Sequence, residues 1–171
     1  IKQRLVARGF NEAITFSFVS PMLQQLIDPD IEPVVIKNPI SSDLAVMRTS
    51  LIPGLLGAAA HNIKRQQTRV RLFETGLRFM PGESLAQLPM LALLLCGRRM
   101  PEGWSSNADS VDFYDMKGEI EALLELLPPR LEEYDVLMTG QPIWRERLQG
   151  VGTLNTDEAL ALSATGPILR S

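Results

Sequence analysis

Two long apolar runs, TRVRLFETGLRF at 68–79 and LPMLALLLCG at 88–97, are separated by little more than PGE at 81–83. This pair constrains the fold more than any other feature. The first run alternates, with Val70 and Leu72 inward against Arg69, Arg71 and Phe73, the period of a strand. The second is apolar on both faces, which predicts a central place in a sheet. Long strands joined by a short turn must run antiparallel.

Helical patterns flank the pair. IKQRLVARG carries Ile1, Leu5 and Val6 on one side and stops at Gly9, a usual C-terminal stop. EAITFSF alternates as a strand, Ala13, Thr15 and Ser17 against Ile14, Phe16 and Phe18. Ser20-Pro21 opens a short helix through Leu26, and PVVIKNP reads as a brief strand. From Ser50, a candidate cap, a long helix is predicted with Leu51, Leu55, Leu56 and Ala59 as its stripe. DFYDMKGEIEALLELL is a last helix, buried through Ile120, Leu123, Leu124 and Leu127. The predicted class is α+β, a mostly antiparallel sheet with flanking helices.

Composition narrows function. Apolar residues make up 45% of the 171, enough for a packed core, and the net charge of −3 argues against a general nucleic-acid coat. Cys96 is alone and sits in an apolar run, so a core thiol is expected and a disulfide framework or cysteine cluster is excluded. His61 is the only histidine, which excludes two-histidine zinc motifs. No metal and no cofactor is expected. The chain begins at Ile1 without a cleavable leader, and its longest apolar run, Leu91 to Cys96, is too short to span a bilayer. A cytoplasmic setting and a piece of something longer are the expectations.

Four blocks carry chemistry: RGFNEAITFSFVSP at 8–21, NPISSDLAVMRTSLIPGLL at 38–56, NIKRQQTRVRLFETGLRF at 62–79 and VDFYDMKGEIEALL at 111–124. Their order and spacing resemble the catalytic-like module of the bacterial phenylalanyl-tRNA synthetase beta chain, a class II synthetase-like fold, here truncated. The resemblance implies a duplicated synthetase fold without catalysis, built into phenylalanine–tRNA ligase beside an alpha chain. The motif residues to which it assigns structural roles are Arg48, Thr49, Ser50, Glu74, Gly76 and Arg78. No catalytic residue is expected. In active class II folds an arginine just beyond this strand's glycine grips the ATP phosphate with its planar fork. The comparable place after Phe79 holds Met80 and Pro81. Read without the family, Arg48, Glu74 and Arg78 are solvated or paired charge on a sheet edge. Lys64, Arg65, Arg69 and Arg71 are candidates for partner or tRNA contact, against the plainer reading of a solvated helix end.

Beyond the double proline at 128–129 the texture changes. RLEEYDVLMTG, PIWRERLQG and TDEALALSATGP read as short helical pieces ended by glycine, Thr156 capping the last. RLEEYDVLMTG, IW-x-x-R, GVG-x-L and ALALSATGPILR resemble the large quinone-side D-type subunit of NADH-quinone oxidoreductase, with Arg170 the only family-associated polar residue near the end. That second resemblance implies a seam: residues 1–127 a partial synthetase-like module, 128–171 a helical tail of other origin. The alternatives are an artificial or recombined chimera without evolved activity, and a fragment of the respiratory subunit. Leu131, Val136, Leu137, Ile143, Trp144, Leu160 and Leu162 are expected to cover the open sheet or to drive self-association.

Overall fold

The computed structural model describes residues 1–104 and 107–126, together with the backbone of 135–139 and 159–165. The two long runs form strands β4 (Arg69–Met80) and β5 (Ala86–Gly97), paired antiparallel from Arg69↔Gly97 to Met80↔Ala86. A two-residue strand β1 (Asn11–Glu12) adds parallel to β4 opposite Leu72 and Phe73. On the other side β7 (Ala159–Thr165) pairs antiparallel with β5, and β6 (Asp135–Thr139) pairs antiparallel with β7. The sheet order is therefore β1-β4-β5-β7-β6, with β5 in the centre as its two-faced apolar pattern predicts.

Each sheet face carries its own core. On one side the helices α2 (Pro21–Ile27) and α3 (Ile52–Lys64) bury Val70, Leu72, Met90, Ala92, Leu94 and Cys96. The opposite side holds α1 (Lys2–Ala7) and α4 (Phe113–Leu124) over Phe73, Leu91, Leu93 and Leu95. Phe73, Leu93, Leu94 and Leu95 are completely buried, and each such side chain stabilises by roughly 1.5–3 kcal/mol. Phe73, expected outward with the two arginines, is thus a core residue of the second face. Its partners come from sequence-distant helices that a strand pattern alone does not reveal.

The α3 helix starts two residues after the expected Ser50. The Ser50 hydroxyl nevertheless accepts from the Ile52 amide at 3.2 Å and satisfies one of the free amides of the first turn. Pro53 occupies the tolerated opening turn. A capping box opens α4: the Asp112 carboxylate accepts from the amides of Tyr114 and Asp115, and the Asp115 carboxylate returns a bond to the Asp112 amide. The Asp112 carboxyl is held below its usual range, first by the Asp115 amide.

Several sequence expectations are revised. EAITFSF pairs only at its ends, in β1 and in β2 (Phe18–Val19), which joins β3 (Val46–Met47) in a separate two-stranded ladder. PVVIKNP contributes one isolated bridge, Val35 to Val46, instead of a strand. The tail, expected as short helices, contributes β6 and β7; ALALSAT is drawn into strand by the long unpaired edge of β5. Thr156, Arg170, Leu127, Leu131, Ile143 and Trp144 lie outside the described residues. For Val136, Leu137, Leu160 and Leu162 only the backbone is described. Among the described residues no helix is long and apolar enough to cross a membrane.

Candidate functional site

Three of the motif residues, Arg48, Glu74 and Gly76, meet beside the start of α3. Thr15 faces inward from the segment between β1 and β2. Its hydroxyl donates to Glu74 Oε2 at 2.7 Å, and its amide donates to Oε1 at 3.2 Å. Arg48, just after β3, places Nη1 at 2.8 Å from Glu74 Oε1 and 3.1 Å from Thr15 Oγ1, and its Nε donates to the Leu77 carbonyl at 3.0 Å. Its backbone is fixed as well: the amide donates to the Ser17 carbonyl, and the carbonyl accepts from the Phe79 amide. Arg48 and Glu74 are 4% and 2% exposed, so the pair is interior. The expectation of a charge on a sheet edge is corrected: β4 is second in the sheet, and α3 covers this face of it.

Two glycines make the node possible. A Cβ on Gly76 would stand 2.5 Å from Arg48 Nη2, and one on Gly54 would stand 2.0 Å from Thr15 Oγ1. Both contacts are too close for any side chain. The Gly of FETG therefore leaves room for the guanidinium, and the Gly of IPG leaves room for the threonine.

The remaining motif residues go elsewhere. Thr49 is buried and bonds to Gln24 and Asp28 of the α2 region; Gln24 Oε1 also accepts from its amide at 3.3 Å. Ser50 serves the α3 start. Arg78 is half-buried on β4 opposite Leu88, and its Nε is enclosed without a hydrogen-bond partner. Arg48, Glu74 and Gly76 are thus brought together, whereas Thr49, Ser50 and Arg78 are not part of the same cluster.

The basic group also divides. Lys64 and Arg65 are exposed at the end of α3, where the Arg65 guanidinium contacts His61. Arg69 and Arg71 lie on the other face of the sheet. Arg71 pairs with Glu119 of α4 and stacks on Phe10, its guanidinium carbon 4.6 Å from the ring centre. Arg8 takes the second oxygen of Glu119. Sequence reasoning did not single out Thr15, Gln24, Asp28, Gly54, Arg8 or Glu119. The available signal was the alternation around Thr15. It offers two faces, and the polar one turns inward, leaving Ile14 92% and Phe16 71% exposed.

Comparisons with known proteins bear on this arrangement. The model of the family described as phenylalanyl tRNA synthetase beta chain CLM domain matches residues 1–146. The phenylalanine–tRNA ligase beta subunit of Pseudomonas fluorescens Pf-5 is 55% identical over 125 residues, covering 72% of this chain and 16% of that protein. The corresponding subunit of Hahella chejuensis is 44% identical over 183 residues, covering 98% of this chain and 22% of the relative. The chain therefore spans about a fifth or less of the length of these curated relatives. Among solved structures, a pyrrolysyl tRNA synthetase, PylSc of Desulfitobacterium hafniense, superposes with a TM-score of 0.61 at 12% identity, over 96% of this chain and 61% of that one. It shares the fold. The family match passes the double proline, and the Hahella alignment takes in nearly the whole chain. The respiratory resemblance and the seam it implied find no support.

Proposed function

The chain belongs to the phenylalanyl tRNA synthetase beta chain CLM domain family, and on that premise we propose that it is a non-catalytic structural and interaction module of a phenylalanine–tRNA ligase. The observation that carries this reading is the buried node. Arg48 and Glu74 bond to each other, to Thr15 and to the Leu77 carbonyl inside the protein. Side chains held in this way are committed to the interior of the fold, Arg48 through Nε and Nη1 and Glu74 through both carboxylate oxygens. Both faces of the β4–β5 pair are also filled by side chains of the chain itself from Val70 to Phe73 and from Met90 to Cys96, whereas a catalytic site needs a concave opening over the sheet. Met80 ends β4 and Pro81 follows it, where a phosphate-gripping arginine would be needed.

The partner in this reading is the alpha chain of the ligase. Ile14 and Phe16 are presented outward by the inward turn of Thr15. A rigid segment carrying an exposed aromatic is suited to anchoring a protein interface. Of the residues considered for tRNA contact, Lys64 and Arg65 are exposed at the end of α3, and in this reading they offer charge to an RNA backbone. The test is co-purification and titration of the alpha chain with Ile14→Asp and Phe16→Asp. Each is expected to weaken association by at least about tenfold, or about 1.4 kcal/mol, and to leave the melting temperature of the chain unchanged. Wild-type affinity in both variants would remove this surface from the reading.

A further inference from the structure

Arg8 at the end of α1 and Arg69 and Arg71 on β4 lie beside α4, and a single carboxylate, Glu119, serves two of them. Both its oxygens are occupied, one by Arg8 Nε and the other by Arg71 Nη2. Arg69 forms no ion pair among the described residues. Its Nε donates to the Arg99 carbonyl at 3.3 Å, which fixes the guanidinium and leaves its terminal nitrogens free to bond outward. Those nitrogens lie against Gly9, 3.8 and 3.9 Å from where a Cβ would be. Gly9 has φ +83°, a conformation that favours glycine, so this turn sets no side chain against the guanidinium. The nearby carboxylates of Asp112 and Asp115 are held by Arg99.

Three cations thus face one anion in a partly desolvated corner. Arg71 Nε is moreover enclosed without a hydrogen-bond partner. Burial, and then the Arg71 charge, lower the Arg69 pKa, so a further negative charge here is favourable. Planar guanidinium forks match tetrahedral oxyanions in a bidentate way.

We propose that Arg69, with Arg8 beside it and the Arg71–Glu119 pair as its floor, forms a binding site for a phosphate group. The site stands on this chain's own geometry and does not require the ligase reading. The phosphate can come from the backbone of an RNA or from free inorganic phosphate, and the two sources share the same recognition chemistry.

The test uses the whole 171-residue chain with sodium phosphate at constant ionic strength and chloride as the reference. Phosphate at about ten times its Kd is expected to raise Tm by about 3–6 °C. Arg69→Gln is expected to abolish this shift while melting like wild type in chloride, because Arg69 forms no ion pair among the described residues. Arg8→Gln serves as a second variant and is expected to reduce the shift. Arg98→Gln, an arginine paired with Glu102 and not with Glu119, should keep it. A tRNA transcript titrated in parallel separates the sources. A fall of at least about tenfold in its affinity with Arg69→Gln assigns the site to an RNA backbone, whereas loss of the phosphate shift alone assigns it to free phosphate. No phosphate shift in the wild type, or an equal shift in Arg69→Gln, would overturn the proposal.

Discussion

Glu74→Gln is expected to destabilise the chain by about 3–5 kcal/mol, read as a lower urea midpoint at an unchanged slope. The carboxylate accepts from the Thr15 hydroxyl and amide and from Arg48. With an amide in its place, the guanidinium stays 4% exposed and has no counter-charge. Arg48→Met strands the opposite charge and should cost a similar amount. The informative variant is the double one, Arg48→Met with Glu74→Leu. A buried ion pair replaced by apolar groups of similar volume is often neutral or stabilising, so the double variant should be more stable than either single one. The coupling energy from the cycle then reports the pair itself. Single variants that lose under 1 kcal/mol, or a double variant equal to their sum, would mean that the node is solvated in solution.

Removal of residues 128–171 should produce the second large effect: loss of a cooperative melt, or aggregation at micromolar concentration. β7 covers β5 from Met90 to Cys96. In that stretch β5 is buried on both faces, with Leu93, Leu94 and Leu95 at 0% exposure. Without β7 a long apolar strand would present unpaired amides and carbonyls, a template for another copy of the chain. Self-association is therefore expected of the shortened chain. A shortened chain that melts like the full one would show that the β5–β7 pairing contributes nothing.

The parts of this architecture legible in the sequence are those set by local pattern. β4 and β5 carry their own period and apolar density, and the PGE turn fixes their antiparallel pairing. Cys96 is buried as its run suggests. The α3 stripe of Leu51, Leu55, Leu56 and Ala59 is buried throughout. The illegible parts depend on distant partners. ALALSAT is rich in alanine and leucine, strong helix formers, and becomes strand only because β5 offers an open ladder. Alternation in EAITFSF was visible, yet which face turns inward is decided by Glu74, almost sixty residues later. Arg48 and Glu74 were found as motif residues, but their burial follows from Gly54 and Gly76, whose missing side chains leave the space. The basic run at 64–71 looks continuous as text and is split because Lys64 and Arg65 end the α3 helix, whereas Arg69 and Arg71, two apart on β4, share the face of the sheet opposite α3.

In the function proposed above, this synthetase-type fold uses its motif side chains to hold itself together and performs no aminoacyl chemistry. Phenylalanine-dependent ATP–pyrophosphate exchange by the purified chain tests it most directly. The prediction is exchange at the background of a no-protein control, for the wild type and for Arg78→Ala alike. Exchange above background that requires phenylalanine and disappears with Arg78→Ala, the arginine nearest the end of β4, would contradict it.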